Sequence, residues 1–524
     1  MNNALHPTAL QRFAARLRAL YLASLCCFVL QAIGAAWRDS WCCAQLSRIL
    51  GKPAACVSSR AHALLARLSA RMERHSGRLA GRMHESIFYH ICQAILRAGR
   101  ESRLLGWLFA GGAGGLLLFA IGGYVIWDYL LRDVFSIPVL SSFWDEALLL
   151  LCLVYLLYQR KTAQLRLPVY DTPLDLPVVF FLAVCTGLLL LDLSVPAINI
   201  SGYRATVQYI LWFFVVTRLL RNDRDCKQLY LTMVAIASVI GLHGIYQYIV
   251  GAPIPANWVD QSEASVRTRV YSIFSSCNIM GDFMVLFAPM AAGLAYACRD
   301  LRLKLLAWGC TLVMCLSCLL TMSRGAWIAL VVAILIFAVL VDLRLLAVMA
   351  AGGCLAMFLP FVQSRIGYLF TDAFAASTNR GGRAVRWQKA IGYLYDANPV
   401  LGMGFGRFGG AIAMQNKTNP VMEYFYTDNY YVKILSENGF VGLISFAFMM
   451  LGVLWAGLRS WFRTRQSKSR MAPMCAGMLS GMAGVLVHCY FENIFEEPYM
   501  MAIFWTIAAM TVYLGFLRPT RQDA

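Results

Sequence analysis

Apolar runs of membrane-spanning length recur along most of the chain and alternate with short polar segments. They lie near residues 106–130, 143–158, 174–192, 203–220, 229–250, 270–297, 304–322, 325–342, 345–361, 438–458, 473–491 and 498–516. A helix needs roughly 20 apolar residues to cross a bilayer, and only helices and closed barrels satisfy their backbone hydrogen bonds in lipid. The pattern therefore predicts an all-α fold: a polytopic helical membrane protein with about 12 transmembrane helices.

One polar segment, residues 362–437, interrupts this pattern. The stretch Ser364–Leu443 contains eight Lys/Arg and five Asp/Glu residues. We interpret the segment as a large, partly helical extracytoplasmic loop with a helix over Ile391–Ala397, although an ordinary solvated loop fits the composition as well. The predicted organisation is a basic region over 1–104, helices over 105–361, the loop over 362–437, further helices over 438–516, and a tail over 517–524.

The short loops rich in Lys/Arg fall on one side of this predicted topology. These loops are Arg160–Arg166, Arg221–Lys227, Arg299–Lys304, Arg459–Arg470 and Arg518–Arg521. The positive-inside rule places them in the cytoplasm together with both termini. The long polar segment then faces outward.

Composition supports a membrane protein, because 60% of the 524 residues are hydrophobic and only 14% are charged. The net charge of +19 is concentrated in residues 1–104, which hold fifteen Lys/Arg and four Asp/Glu residues. This region is typical of basic amphipathic helix lying on anionic lipid. Ala19–Trp37 fits an interfacial helix better than a membrane span. Nucleic-acid binding, the other interpretation of a basic region, does not suit so many spans.

The cysteines and acidic residues give no sign of a disulfide framework, a metal or a cofactor. Most of the 17 cysteines lie in apolar runs, where they act as small hydrophobic residues. His488, Glu492 and Glu496 come nearest to a metal-ligand spacing without matching one. We expect chemistry that needs neither metal nor cofactor.

Arginines gather at the predicted outer boundary of the membrane. Arg267 and Arg269 precede one apolar run, and Arg324 lies between two runs with almost no loop. Such arginines either extend to lipid headgroups or converge on an anionic group, and a guanidinium suits a diphosphate because it binds two oxygens at once. Nearby, Asn278 and Asp282 share one helical face, and Asp282 is either a functional acid or a structural partner.

Four stretches resemble, in order, the motifs of the O-antigen ligase and Wzy-type polysaccharide polymerase superfamily. The stretches are RVYSIFSSCNIMGDFMVLFAPM with Arg269, Asn278 and Pro289; MSRGAW with Arg324; RWQKAIGYLYDANPVLGMGFGRF with Arg386 and Gly402, Gly404 and Gly406; and DNYYVKILSENGFVGL with Asn429 and Glu437. The resemblance covers about residues 170–515. The glycines of the third stretch either bring backbone close to a sugar or phosphate, or only form a turn.

The resemblance implies a metal-independent glycosyltransferase that uses an undecaprenyl-diphosphate-linked oligosaccharide as donor. It also implies that the protein lies in the bacterial inner membrane, with its active site on the periplasmic side. An acceptor hydroxyl would attack the anomeric carbon, invert it and expel the lipid diphosphate. A polymerase joins the glycan to another glycan, and a ligase joins it to lipid A-core. The implied partners are the lipid-linked donor, membrane lipid, and a chain-length regulator and flippase.

One departure from the motifs favours a polymerase over a ligase. Ligases carry a histidine immediately before the Asn of the fourth motif, where this chain has Asp428. We expect Asp428 to act as the base, with Glu423 and His488 as other candidates, unless Asp428 only caps the following helix. Arg269, Arg324 and Arg386 would hold the diphosphate, and Arg267, Asn278, Asn429, Glu437 and His488 would contact substrate. A lipid-glycan flippase is the non-enzyme alternative.

Overall fold

The computed structural model describes residues 85–102, 106–109, 111–136, 138–162, 172–254, 268–371, 382–417 and 422–518, with the single residues 44, 48 and 67. Most of the basic amino-terminal region, including the predicted interfacial helix Ala19–Trp37, lies outside these residues. Arg267 also lies outside them, so its predicted role stays a prediction.

The regular structure of the described residues is helical throughout, with no strand. The helices are α1 (Ile87–Glu101), α2 (Gly106–Phe109), α3 (Gly112–Gly122), α4 (Tyr124–Tyr129), α5 (Pro138–Thr162), α6 (Asp175–Leu191), α7 (Pro196–Val207), α8 (Leu211–Leu219), α9 (Asp223–Val250), α10 (Cys277–Ala297), α11 (Leu301–Leu320), α12 (Arg324–Val341), α13 (Arg344–Met357), α14 (Pro360–Gly367), α15 (Arg383–Ala397), α16 (Ala411–Asn416), α17 (Tyr430–Gln466), α18 (Ala472–His488) and α19 (Pro498–Val512). π-Helical turns follow at Leu130–Val134 and Tyr513–Leu517, and 3-10 turns lie at Gln208–Ile210, Tyr368–Phe370 and Ile494–Glu496.

The all-α prediction is confirmed, whereas the count of about twelve spans stays a prediction. Six described helices are long and apolar enough to cross a membrane, or eight if each of two bent pairs is one span. The bent pairs are α3 with the helix that follows it (67°) and α13 with α14 (86°). Helices α6 and α18 are apolar but shorter, and the predicted run 203–220 is broken between α7 and α8.

Helix α10 forms the centre of the bundle and packs most closely against α18 and α11. Small residues allow two of these backbones to approach each other. A β-carbon at Gly481 of α18 would lie 2.2 Å from the carbonyl oxygen of Leu286, and one at Gly477 would lie 2.4 Å from that of Pro289. Such small-residue contacts are typical of helices packed inside membranes.

The described helices place two groups of loops at opposite ends of the bundle. At one end, which we call the site end, α11 and α18 finish and α10, α12, α17 and α19 begin. At the other end, Arg518 contacts Asp223 at 2.8 Å and donates to the Ser469 hydroxyl at 3.0 Å. These three residues belong to three of the basic segments predicted to lie together in the cytoplasm.

Helix α17 begins at Tyr430, earlier than the predicted run at 438, and breaks at Gly439, which has φ +64°. The loop after α15 pairs with the backbone at this break. Met403 N–H donates to the Ser436 carbonyl (2.9 Å), and Phe440 N–H donates to the Pro399 carbonyl (3.0 Å). Backbone groups of α17 lose their partners within the helix at this break, and the loop provides hydrogen-bond partners for them.

The glycines of this loop face protein backbone and side chains. A β-carbon at Gly402 would lie 2.4 Å from the Glu437 carbonyl oxygen, and one at Gly404 would lie 2.3 Å from Asp192 Oδ2. Both glycines have positive φ. The structure shows the turn at both positions, because the chain itself occupies the space that a β-carbon would fill.

Candidate functional site

Two arginines bind consecutive carbonyl oxygens in the turn between α11 and α12. Arg269 Nε donates to the Thr321 carbonyl (3.1 Å), and Arg365 Nη2 donates to the Met322 carbonyl (2.8 Å). Both side chains are buried. Cations are favourable at the carboxyl end of a helix, where carbonyl groups lack partners within the helix. The end of α11 therefore brings two guanidiniums together at the site end.

Arg324 is the first residue of α12, and Ser323 caps that helix by accepting from the Ala326 N–H at 3.5 Å. The guanidinium carbon of Arg324 lies 5.8 Å from the ring centroid of Tyr368. The adjacent Gly325 packs tightly against Phe491 and His488, because a β-carbon there would lie 2.8 Å from Phe491 Cβ. Arg324 is thereby placed beside the turn that follows α18.

Asn278 links this arginine group to Glu492. Its side-chain NH2 donates to Glu492 Oε2 at 2.6 Å, and its Oδ1 lies 3.5 Å from Arg269 Nη2. Burial, followed by the negative charge of Asp428, raises the pKa of Glu492, while the hydrogen bond from Asn278 lowers it. Glu492 is therefore a carboxylate of increased basicity within the cluster.

Asp428 lies between two arginines of helix α15. Its Oδ2 accepts from Arg386 Nη2 at 2.7 Å and lies 3.5 Å from Arg383 Nε. Arg386 also donates to the Tyr426 carbonyl at 2.7 Å, so one guanidinium holds both the side chain and the backbone of this segment. Both Asp428 contacts converge on one of its carboxylate oxygens.

The idea that Asp428 caps the following helix is wrong. Asn429 is the cap of α17, since its Oδ1 accepts from the N–H groups of Tyr431 (3.0 Å) and Val432 (3.1 Å). Asp428 instead has φ +46°, a left-handed backbone conformation that is uncommon outside glycine. The turn aims its carboxylate at α15 while Asn429 satisfies the helix start.

Glu437, predicted to bind substrate, lies deeper in α17 and is fully buried. Its Oε2 contacts Lys433 Nζ at 2.8 Å, and Lys433 also lies 3.6 Å from Glu496 Oε1. Glu496 accepts in addition from the Ala411 N–H and from the Tyr426 hydroxyl. Burial of charge is expensive without such pairing, so this network ties α17 to the loops around it.

His488 and Glu423, the other candidate bases, do not join the arginine cluster. His488 is buried and its Nδ1 lies 3.0 Å from Asp282 Oδ1, so Asp282 is partnered by a histidine and not by an arginine. Glu423 is exposed and contacts Lys389 at 2.6 Å. His488, Glu492 and Glu496 also face three different partners, Asp282, Asn278 and Lys433, although they are close in sequence.

The site end therefore combines five arginines with two carboxylates. The arginines are Arg269, Arg324, Arg365, Arg383 and Arg386, and the carboxylates are Asp428 and Glu492. The segment after α18 connects the two halves, since the ring of Tyr490 lies 5.2 Å from that of Trp387. Arg365, Arg383 and Glu492 are not among the site residues that the sequence motifs select, and what these three share in the sequence is a place in segments predicted to face outward.

Residues 309–447 match the family model described as O-Antigen ligase. The matched segment runs from α11 into α17 and contains Arg324, Arg386 and Asp428. No curated protein matches the chain. The match confirms the resemblance to the O-antigen ligase and polymerase superfamily, whose members are glycosyltransferase-like enzymes that act on lipid-linked glycans. With its apolar helices, the chain is a multi-pass membrane protein.

Proposed function

We propose, from the match of residues 309–447 to the O-Antigen ligase family model, that the chain is a polysaccharide polymerase of the bacterial inner membrane. It transfers glycan from an undecaprenyl diphosphate donor to the hydroxyl of an acceptor glycan at the periplasmic face. The observation that carries the proposal is the cluster of five arginines around two carboxylates at one end of the helix bundle.

The arginines suit the leaving group of this reaction. As the acceptor oxygen bonds to the anomeric carbon, the bond from that carbon to the diphosphate oxygen breaks and its electron pair moves to the diphosphate. Arg269, Arg324 and Arg365 lie where α11 and α12 meet and would stabilise that developing charge. Guanidiniums held by helix-end carbonyls need little reorganisation to do so.

A carboxylate takes the proton that the acceptor hydroxyl releases. Asp428 is the base that the sequence suggests, and its second oxygen is not the one that Arg386 and Arg383 contact. Glu492 is a second candidate because burial raises its pKa and because Asn278 positions it. General bases work best when their pKa approaches the working pH.

The polymerase is favoured over a ligase by the residue before Asn429. Ligases of the family carry histidine at that position, whereas this chain places Asp428 between two arginines. A flippase is the second candidate, because discontinuous helices are typical of transporters and α17 breaks at Gly439. The chain's own loop fills that break, and the charge cluster lies at one end of the bundle, which favours the enzyme.

The test is a reconstituted transfer reaction. Purified protein in lipid vesicles is given a synthetic undecaprenyl-diphosphate oligosaccharide in the presence of EDTA. A polymerase yields a ladder of products that grows by one repeat unit, whereas a ligase yields product only when lipid A-core is added. Transbilayer movement of intact donor without any new glycosidic bond would contradict the proposal and favour the flippase.

A further inference from the structure

A cavity of about 430 Å³ lies beside the loop that fills the break in α17, away from the arginine cluster. Its polar lining comes from three parts of the chain, namely the segment after α6, the loop after α15, and α17. The lining includes Asp192, Ser194, Asn398, Arg407 and Glu437. Pockets that hold small ligands measure roughly 300–1,000 Å³, so the cavity has the size of a binding site.

Glu437 contributes to this lining, but its side chain is fully buried. Its Oε2 binds Lys433 (2.8 Å), and the Gly406 backbone amide lies near the carboxylate. The carboxylate is therefore out of reach of a ligand in the cavity. The lining side chains that are polar and at least partly exposed belong to Asp192, Ser194, Asn398 and Arg407.

The charges in the lining fit a hydroxyl-rich ligand better than an anion. Arg407 Nη1 lies 3.4 Å from Asp192 Oδ2 and donates to the Ser194 hydroxyl at 3.0 Å, so its charge is already balanced. Glu437 is balanced by Lys433 in the same way. The lining therefore presents both donors and acceptors without the excess of positive charge that a diphosphate requires.

We propose that this cavity is a saccharide subsite that binds sugar rings of the donor or acceptor glycan away from the bond being formed. The identity of the glycan rests on the proposed function. Asp192, Ser194 and Arg407 bind ring hydroxyls, and Leu188, Leu191 and Leu401 at the end of α6 and in the facing loop contact the apolar faces of the sugars.

The test measures binding separately from turnover. Saturation-transfer NMR records contact between the protein in nanodiscs and lipid-free oligosaccharides released by mild acid from the host's own polysaccharide. Ser194→Trp fills the cavity from an exposed position and should lower the affinity at least about tenfold. Ser201→Trp, an exposed position on α7 outside the lining, should bind as the unaltered protein does.

Two further variants separate a loss of oligosaccharide binding from a loss of transfer. Asp192→Asn removes one ionised acceptor without adding volume and should weaken binding several-fold. Arg269→Ala changes the arginine cluster and should leave oligosaccharide binding intact while it stops transfer. Equal binding by Ser194→Trp and the unaltered protein would overturn the subsite and leave the proposed polymerase standing. Binding that persists in a protein without transferase activity would support the subsite although the proposed function fails.

Kinetic measurements identify which glycan, acceptor or donor, the cavity binds. In the transfer reaction, Ser194→Trp should raise the KM for the acceptor if the cavity binds the growing chain, and for the donor if it binds the lipid-linked repeat. An unchanged KM for both would contradict the inference. Displacement of the oligosaccharide by undecaprenyl diphosphate without sugar would also contradict it, because the cavity would then recognise the lipid diphosphate.

Discussion

Arg386 holds Asp428 by one carboxylate oxygen at 2.7 Å and holds the backbone of the same segment through the Tyr426 carbonyl at 2.7 Å. The guanidinium therefore fixes both the direction of the side chain and the turn that carries it. Two nitrogens of one planar guanidinium make this pair of contacts, and the single ammonium of lysine cannot reproduce their geometry.

Asp428→Asn should reduce transfer by about 10²–10⁴-fold, the usual contribution of a general base. The amide keeps the size of the side chain and an oxygen for Arg386, so the folded protein should persist. The measurement is turnover on the synthetic donor, with thermal stability recorded in parallel. Near-normal turnover would exclude Asp428 as the base and leave Glu492.

The pH profile should report the coupling between the two carboxylates. Burial and the charge of Asp428 raise the pKa of Glu492 above its ordinary value. A base must be ionised, so transfer should fall as the pH drops through that raised pKa. In Asp428→Asn the repelling charge is gone, so the acid limb of the residual activity should move to lower pH.

The control for this profile is Glu423→Gln, which alters an exposed carboxylate paired with Lys389 and should leave the acid limb in place. In the Asp428→Asn background, Glu492→Gln should abolish the limb together with the residual transfer. If the acid limb stays fixed or moves to higher pH in Asp428→Asn, Glu492 is not the group whose ionisation sets that limb.

Arg269→Ala and Arg324→Ala should each abolish polymer while the protein still inserts into the membrane. Replacement by lysine should restore only part of the activity, because a single ammonium cannot bind two diphosphate oxygens in one plane. Polymer is measured by gel electrophoresis of the product ladder. Arg299→Ala, an exposed arginine at the opposite end of the bundle, serves as the matched control. Normal polymer in either of the first two variants would remove that arginine from the site.

Labelling of single cysteines should establish the direction of the bundle. Asn416 is exposed at the end of α16, and Ser467 is exposed just after α17. Asn416→Cys should react with a membrane-impermeant reagent added from outside, and Ser467→Cys only after permeabilisation. The unaltered protein gives the background from its native cysteines. The reverse pattern would place the site end in the cytoplasm.

Gly439→Ala should destabilise the protein by about 1–3 kcal/mol or more, because the backbone conformation there is essentially restricted to glycine. A β-carbon at Gly439 would also lie 2.2 Å from the Val400 carbonyl oxygen. Gly309→Ala in α11 is the control, since a β-carbon there meets nothing within 4 Å. The thermal unfolding midpoint in detergent distinguishes them, and equal midpoints would contradict the structural role of the break.

The sequence predicts the all-α fold because apolar length and turn residues are local signals, whereas the number of spans stays a prediction. It predicts only the second half of α15, as Ile391–Ala397. It also places Arg324 between two helices with almost no loop, and the structure leaves only residues 321–323 between them. It also indicates the end at which the functional charges gather, because helices of spanning length alternate direction. These inferences need no knowledge of which helices touch.

The contacts within the site are less predictable, because they join distant parts of the chain. A helix start at Asn429 does not reveal that this residue, and not Asp428, supplies the cap. The pairing of Asn278 with Glu492 spans 214 residues, and nothing local to either residue specifies it. The break at Gly439 is equally hidden, since glycine is common in membrane helices that stay intact.

The buried pair of His488 and Asp282 has a consequence for biosynthesis, because 206 residues separate its members. Helix α10 leaves the ribosome long before α18 is translated, so Asp282 enters the bilayer without its eventual partner, where an ionisable side chain is costly. The same delay applies to Asn278, which acquires Glu492 only when the last helices arrive. A premature stop codon just after residue 470 would therefore leave all five arginines in the truncated chain but remove His488. Asp282 would then stay in the bilayer without its partner, and we expect quality control to degrade the truncated protein.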